Sequence, residues 1–252
     1  ADIAKKILMK CVDIYDNRPG YASLPPVPNT GTANPFNLNL PGVDRPRITG
    51  HWMVLLNCAQ QMLETSRDPE IEALAARSVD AVMDHQYNPA YGLINEYIDH
   101  DLSHITSDHG QICVGHGPET LWMILYDAVR LKDKALFERA AGYLQRSAEV
   151  FWDDVYGGML AGLDHVDRNI WQVSQKSLWL QQEFLLGFLC VIENTGAQWA
   201  RDWYGKLHNH VMAKFPLKQY GFPLWIAYAD RKTTCVRHYN RCEHFHHPRY
   251  LM

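Results

Sequence analysis

The sequence predicts an all-helical fold in which helical hairpins form an α/α toroid. Apolar residues recur at helical spacing along almost the whole chain, as at Ile3, Ile7, Cys11 and Ile14. Short links between the predicted helices alternate with long links that are rich in polar and aromatic residues. Long links of this kind build sites on one face of a helical array. No exact internal repeat is visible, which favours a toroid over a solenoid of uniform units.

Helix boundaries follow from caps and from breaks in the periodicity. Asp68 and Pro69 have the chemistry of an N-cap and a first helical position. The predicted helices cover about 3–14, 49–66, 69–85, 118–131, 134–152, 176–193 and 197–215, with a last helix from about 247. The loop over 17–47 is rich in Pro, Asn and Gly, and loops of this length are often functional. A short strand is expected in GLINEYI, residues 92–98, and a short hairpin is expected within 220–236.

Composition narrows the class of protein. The 252 residues are 47% apolar and 21% charged with a net charge of −4, so we expect one domain over 1–252. No Lys- or Arg-rich block and no long apolar run is present, so neither nucleic acid nor a membrane is an expected partner. Most of the six cysteines lie in apolar helical stretches, which favours a reducing cytoplasm. The many Trp, Tyr and His residues suit a sugar pocket, and they suit an ordinary helical core equally well.

The first segment that carries chemistry is VGHGPETLWMIL, residues 114–125. Pro118 begins a helix, so His116 lies at or just before its N-terminus, and Glu119 and Trp122 follow on the same side. A carboxylate beside a histidine orients the imidazole and holds its tautomer, as a general acid or base requires. A capping histidine with a glutamate stabilised by the helix dipole is the alternative.

The second segment is QKSLWLQQEFLLGFL, residues 175–189. Lys176, Trp179 and Glu183 are spaced i, i+3 and i+7, which places them on one face of a predicted helix. Burial of Glu183 without a partner would be costly. The pattern therefore predicts either a structural salt bridge or a group of site residues.

The remaining two segments lie at 153–160 and at the C-terminus. DDVYGGML is predicted to be a plain turn at its two glycines.

In the C-terminal segment, HYNRCEHFHHPRYLM, Pro248 fixes a helix start, so His246 directly precedes a helix and Arg249 lies in its first turn. The histidines near Cys235 and Cys242 make zinc an alternative, but their spacing matches no zinc pattern. No metal is therefore expected.

Taken in order, these segments resemble the N-acylglucosamine 2-epimerase superfamily. The matching stretches are GHGPETLW, WDDVYGG, KSLWLQQE and FHHPRYL, and their order and spacing agree from about His51 to the last residue. The resemblance implies a six-hairpin (α/α)6 barrel with the site at one end. It also implies that the chain lacks the family's N-terminal helices, and that it stops before the closing helix is complete.

The resemblance implies a role for each matching residue. His116 and His246 match the two essential histidines, and Glu119 matches the carboxylate that supports the first of them. Trp179 matches a wall of the sugar pocket, and Glu183 matches a further carboxylate of the site.

Five more residues complete the candidate site. Arg249 lies beside the second histidine, and Glu96 matches a position on a strand that faces the site. His51 falls where some members have another pocket histidine. Trp122, on the helix side of Glu119, and Lys176, on the predicted face of Glu183, are expected to support the site.

An arginine of the family's N-terminal part helps to bind or polarise the sugar carbonyl, and Arg45 and Arg47 are candidate substitutes for it. The expected explanations for the short chain are a fragment, a truncated gene or an open barrel that another copy completes, in which case the protein is a homodimer. Exposed apolar helix faces would favour such self-association.

The expected activity is proton abstraction and return at C2 of an open-chain aldose, which gives either an epimer or a ketose. The substrate is a small sugar, and the chain has no nucleotide-binding motif, so no cofactor is expected. One alternative is a glycoside hydrolase that uses two carboxylates, such as Glu119 with Glu183 or Asp153 with Asp154. The other is a carbohydrate-binding module without catalysis.

Overall fold

The computed structural model describes residues 2–17, 46–105, 113–163, 175–217, 222–223, 226–228 and 246–252. These residues belong to two compact units, one of Ala1–Tyr87 and Ile94–Gln111 and the other of Asn88–Leu93 and Ile112–Met252. No helix within the described ranges is long and apolar enough to span a lipid bilayer. The predictions for Arg45, Cys235 and Cys242 lie outside the described residues.

The first unit is built mainly of helices. Its helices are α1 (Asp2–Asp16), α2 (Thr49–Leu63) and α3 (Pro69–Asp80), followed by a π-helical turn (Ala81–Gln86). Strand β1 (Arg47–Ile48) precedes α2, and the chain then forms β2 (Tyr87–Asn88), β3 (Leu93–Ile94) and β4 (Tyr97–Ile98), of which β4 pairs antiparallel with β1. The strand predicted in GLINEYI is therefore present as two short strands, and Glu96, which was expected on the strand, lies between them.

Caps and buried stripes explain the helices of the first unit. Leu8, Val12 and Tyr15 form the buried stripe of α1 at intervals of four and three residues. The carboxylate of Asp68 accepts hydrogen bonds from the backbone N–H groups of Glu70 and Ile71, which caps α3 as predicted.

The third helix continues to about His85 as predicted, but its last turn is not α-helical. α3 ends at Asp80, and the chain continues in the wider π-helical turn. Gln86, the last residue of that turn, accepts a hydrogen bond from Asn95 N–H and donates one to the Glu96 carbonyl. These bonds to a distant segment override the local helical periodicity.

Arg47 lies at the centre of a polar network in the first unit and is 5% exposed. Its guanidinium donates to the Tyr15 carbonyl at 2.9 Å and to Asp16 at 3.2 Å, and it lies 4.4 Å from the centre of the Tyr15 ring. Asp16 also accepts two hydrogen bonds from Arg77. The contacts of Arg47 with Tyr15 and Asp16 join β1 to α1, and Arg77 joins α3 to the same Asp16 carboxylate, so the network has a structural role.

The second unit contains the remaining helices of the described residues. They are α4 (His116–Leu131), α5 (Lys134–Phe151), α6 (Leu178–Thr195), α7 (Gln198–Lys214) and α8 (His246–Leu251), each close to its predicted range. α6 packs against α4, α5, α7 and α8, and its buried side chains form much of the core of this unit. Gly196, with φ 67°, ends α6 in the left-handed conformation that favours glycine.

Short antiparallel strands lie between these helices. β5 (Cys113–Val114) pairs with β6 (Gly162–Leu163), and β8 (Pro216–Leu217) pairs with β9 (Phe222–Pro223). β7 (Gln175–Ser177) pairs with β10 (Ile226–Tyr228). β9 and β10, the strands described within 220–236, therefore pair with β8 and β7 and not with each other. They do not form the hairpin that was predicted within 220–236.

The link after α5 contains the tight turn predicted at the two glycines. Asp153 and Gly158 are joined by a backbone hydrogen bond of 2.9 Å, and Gly157 and Gly158 have φ values of 73° and 87°. A Cβ atom on Gly158 would lie 2.6 Å from Nε2 of His210, on α7. Glycine is therefore required both by the backbone conformation and by the close approach of this imidazole.

The burial of His210 makes stability depend on pH. Burial lowers its pKa to about 4, and the charges of Lys176 and Lys214 contribute to the shift. Since this value lies below the ordinary 6.5, protonation favours the unfolded chain. We expect the contribution of His210 to the free energy of unfolding to be constant above pH 6.5. It should fall by roughly 1–2 kcal/mol toward pH 4, after allowance for partial exposure.

Denaturant titrations at several pH values would measure this effect in the wild type and in His210→Gln, which should lose less stability in acid. His85→Gln is the matched control, because the His85 side chain is 40% exposed. The same pH dependence in the wild type and in His210→Gln would show that His210 is not the group responsible.

Candidate active site

Seven of the predicted site residues form one cluster in the second unit. α4, α6 and α8 supply them: His116, Glu119, Trp122, Trp179, Glu183, His246 and Arg249. α4 and α6 pack against each other, and α8 packs against α6. The cluster therefore joins residues that are far apart in the sequence.

A single guanidinium connects the two buried carboxylates of the cluster. Nη2 of Arg249 donates to Oε1 of Glu119 at 2.9 Å and also to Oε1 of Glu183. Trp122 Nε1 donates to the other oxygen of Glu183 at 2.7 Å, and the guanidinium lies 5.1 Å from the centre of the Trp122 ring. Glu119 and Glu183 are 1% and 0% exposed. Arg249 therefore attaches α8 to both α4 and α6 through charge-assisted hydrogen bonds.

The two carboxyl groups differ from exposed glutamates in their titration. Burial, and then the neighbouring charge of Glu183, raise the pKa of Glu119 to about 7, against the hydrogen bond from Arg249. Burial also raises the pKa of Glu183, against the positive charge of Arg249. One guanidinium thus faces two desolvated carboxyl groups, and near neutral pH this pair can gain or lose a proton.

The two candidate histidines lie beside the same indole ring. His116 is the first residue of α4 and His246 the first residue of α8, so each begins a helix rather than preceding it. The Trp179 ring centre is 6.0 Å from that of His116 and 5.3 Å from that of His246. Nε2 of His246 is 3.7 Å from Oε1 of Glu119. The cluster therefore combines two imidazoles, an aromatic wall and a carboxyl group that titrates near neutral pH.

Glu119, Glu183 and His246 also offer three ligand atoms within 4.8 Å of one another, a spacing that could hold a metal ion. However, the Arg249 guanidinium already binds both carboxylates, and its positive charge opposes a second cation at the same oxygens. The position of this guanidinium therefore disfavours a metal ion at these three residues.

The prediction that Lys176 shares a helix face with Trp179 and Glu183 is wrong. Lys176 lies in β7, because pairing with β10 holds 175–177 extended, and α6 begins only at Leu178. Its ammonium nitrogen lies 2.6 Å from Oδ2 of Asp153, and Lys176 is 1% exposed. Lys176 is therefore an ion-pair partner of the turn after α5.

Two further predicted residues belong to the first unit. His51 lies on α2 with its ring edge-on to Tyr15 at 5.2 Å. Glu96 is 1% exposed, and its carbonyl accepts a hydrogen bond from Thr49 N–H. Their roles in a sugar site remain predictions.

Sequence reasoning did not recognise the importance of Gly115 and Asp153. A Cβ atom on Gly115 would lie 2.5 Å from Cη2 of Trp179 and 2.7 Å from Cδ1 of Leu180. Gly115 therefore lets the start of α4 approach the indole. For Gly115, the feature in the sequence that could have indicated close packing is its position directly before His116. For Asp153, that feature is an acidic residue shortly before two glycines.

Replacement of Gly115 by alanine should displace Trp179. The added methyl group would lie closer to the indole than real side chains come, so we expect a loss of about 1–3 kcal/mol in the free energy of unfolding and an altered near-UV circular dichroism spectrum. Gly142→Ala, on α5, is the control because its Cβ would meet no atom within 4 Å. A Gly115→Ala protein with wild-type stability and spectrum would contradict the described packing.

Comparisons with known proteins identify a family for this chain. The model of the N-acylglucosamine 2-epimerase (GlcNAc 2-epimerase) family matches residues 37–248. No curated protein matches the chain.

Three solved structures share the fold at low sequence identity. Cellobiose 2-epimerase from Bacillus thermoamylovorans B4167 is 13% identical with a TM-score of 0.68, over 81% of this chain and 51% of that one. A sugar epimerase from a ruminal bacterium is 14% identical with a TM-score of 0.64, over 77% and 49%. A D-mannose isomerase is 15% identical with a TM-score of 0.63, over 74% and 48%.

This chain therefore spans about half the length of the structures that it matches. Their similarity confirms the predicted fold class: the described residues are mostly helical with short strands and form no closed barrel, and the chain shares the fold of these α/α toroid proteins over about half of their length. Since the family model matches most of the sequence, the chain belongs to the N-acylglucosamine 2-epimerase family.

Proposed function

We propose that this chain carries the active site of a sugar 2-epimerase or aldose–ketose isomerase, with His116 and His246 as its acid–base pair. The observation that carries the proposal is the position of the two imidazoles, which come from two separate helix starts and lie beside the one Trp179 indole. Membership of the family supports the reaction class.

The chemistry requires groups that exchange protons near neutral pH. The C2 proton of an open-chain aldose is acidic because the C1 carbonyl takes up the negative charge as an enediolate. One imidazole removes this proton, and the other, which enters the step as an imidazolium protonated from solvent, donates its proton to C2 from the opposite face, which inverts the centre. Return of the proton to C1 instead gives the ketose. Histidine suits both steps because its ordinary pKa lies close to neutral pH.

Glu119 supports His246 in this scheme. Its carboxyl group lies 3.7 Å from Nε2 of His246, so its ionised form stabilises an imidazolium at that position. Glu119 was expected from the sequence to support His116, and the charge of His116 does favour ionised Glu119. We propose that this one carboxyl group influences both imidazoles.

We propose a different role for Arg249 from the one that its position in the sequence suggested. The expectation was a donor to the enediolate oxygen, yet the described hydrogen bonds of this guanidinium go to Glu119 and Glu183. We propose instead that Arg249 neutralises the two carboxyl groups and positions α8, which carries His246.

Glycoside hydrolysis by Glu119 and Glu183 is the weaker proposal. A hydrolase needs one carboxyl group free to protonate the leaving oxygen and a second one free to act as base or nucleophile. Here Arg249 binds both groups, Trp122 also donates to Glu183, and neither glutamate is more than 1% exposed.

Several sugars are candidate substrates. The family model is named for N-acylglucosamine, and the similar structures are described as acting on cellobiose and mannose. We propose a substrate from this group: an N-acylglucosamine, a free hexose of the mannose type or a related disaccharide.

Proton NMR in deuterated water tests the reaction and both histidines together. With the preferred aldose, the C2 proton signal should disappear as an epimer or a ketose forms, because the returning proton comes from the solvent. His116→Ala and His246→Ala should each lower the rate by about 10²–10⁴-fold, the usual contribution of general acid–base catalysis. His85→Ala, at a partly exposed position of the first unit, should retain activity.

The other outcomes distinguish the alternatives. Release of reducing sugar from a disaccharide without exchange at C2 would favour a hydrolase. Saturable sugar binding without exchange, unchanged by either histidine substitution, would favour a binding module.

A further inference from the structure

Lys176 is a buried charge that the proposed proton transfer does not use. It is 1% exposed, and its ammonium nitrogen lies 2.6 Å from a carboxylate oxygen of Asp153, whose side chain is 14% exposed. Desolvation of two such charges offsets most of their attraction, so a buried ion pair is a weak source of net stability. Removal of either partner, however, leaves an unpaired buried charge, which is strongly destabilising. The pair therefore constrains the relative positions of the two residues that form it.

The partner of Lys176 is itself held firmly. Oδ1 of Asp153 accepts hydrogen bonds from the backbone N–H groups of Val155 and Tyr156, at 2.9 and 3.1 Å. The Asp153 carbonyl accepts a further bond from Gly157 N–H. The carboxylate that binds Lys176 therefore belongs to a closed turn with little freedom to move.

The stem of Lys176 is fixed as well as its charge. A Cβ atom on Gly158 would lie 3.1 Å from Cδ of Lys176, so the glycine turn packs directly on the methylene chain. The ammonium lies 5.5 Å from the centre of the Tyr156 ring, and the imidazole of His210 packs on the same glycine. β7, which contains Lys176, also pairs with β10.

A short covalent path leads from this ion pair to the candidate active site. Lys176 is two residues before the first residue of α6 and three residues before Trp179. The Trp179 ring lies next to His116 and His246, and it packs so closely on Gly115 that no side chain fits there. A small shift of β7 would therefore move the indole that lies beside both imidazoles.

We propose that the Lys176–Asp153 ion pair is a positioning device: it anchors the start of α6 to the glycine turn and thereby holds Trp179 in place beside His116 and His246. Neither residue of the pair needs to touch the sugar. This inference rests on the proposed function for its effect on catalysis, but its effect on the position of Trp179 can be measured without any substrate.

The test uses the full chain labelled with 5-fluorotryptophan and fluorine NMR. Trp179→Phe assigns the Trp179 resonance. Lys176→Met should shift or broaden that resonance at temperatures where far-UV circular dichroism shows a folded protein, and Lys176→Arg should restore most of the wild-type signal because it keeps the charge. Lys10→Met is the matched control, since it breaks an ion pair of equal length, Lys10 with Asp13, whose side chains are 69% and 61% exposed.

Kinetics provide the second readout. We expect Lys176→Met to lower kcat/KM by about 100-fold, the order of loss that follows a misplacement of about 1 Å at an active site. Lys10→Met should leave it unchanged. If Lys176→Met does not fold, Asp153→Asn provides the same test, because it removes the negative charge but keeps a hydrogen-bond acceptor.

Two results would overturn the proposal. One is a folded Lys176→Met or Asp153→Asn protein that is merely less stable, with the Trp179 resonance in its wild-type position. The other is wild-type kcat/KM in such a protein. If the wild type exchanges no sugar proton, the proposed function fails on its own, and the fluorine resonance still decides whether the pair positions Trp179.

Discussion

The candidate site depends on one interaction, the binding of a single guanidinium by two buried carboxyl groups. Glu119 and Glu183 lie on different helices, are almost fully buried, and share one nitrogen of Arg249. Without this cation the two carboxylates would repel each other in a desolvated environment, and at least one of them would have to take up a proton. The positive charge of Arg249 offsets part of this repulsion, and the pKa of Glu119 is then about 7, so this carboxyl group gains and loses its proton near neutral pH.

This constraint also explains how a very short helix can hold the proposed acid–base group His246 in place. α8 has six residues, too few for an isolated helix to be stable in water. Arg249 binds α4 and α6 from within it, and the Tyr250 hydroxyl forms a hydrogen bond with Tyr204 on α7. Because α8 is held at these points, His246 at its first position has a defined place beside Trp179. The same interaction therefore sets both the charge and the geometry of the site.

Features that depend on local spacing could be predicted from the sequence, and features that depend on distant partners could not. Helical periodicity predicted α1 to α7 to within a few residues, and a one-turn spacing placed Glu119 and Trp122 in the same cluster. By contrast, the partners of Arg249 lie 130 and 66 residues away in the sequence, so no local pattern reveals them. Lys176 was assigned to a helix because its spacing fits one, whereas strand pairing and the Asp153 carboxylate determine its conformation.

The most direct test of this account is the titration of the Glu119 carboxyl group, followed by its side-chain ¹³Cδ chemical shift and assigned with Glu119→Gln. A buried carboxyl group that shares Arg249 with Glu183 should titrate with a midpoint near pH 7. A midpoint near the ordinary value of 4.5 would mean that Glu119 is exposed to solvent or fully paired. That result would contradict the burial of Glu119 beside Glu183, the desolvated carboxyl pair that Arg249 joins.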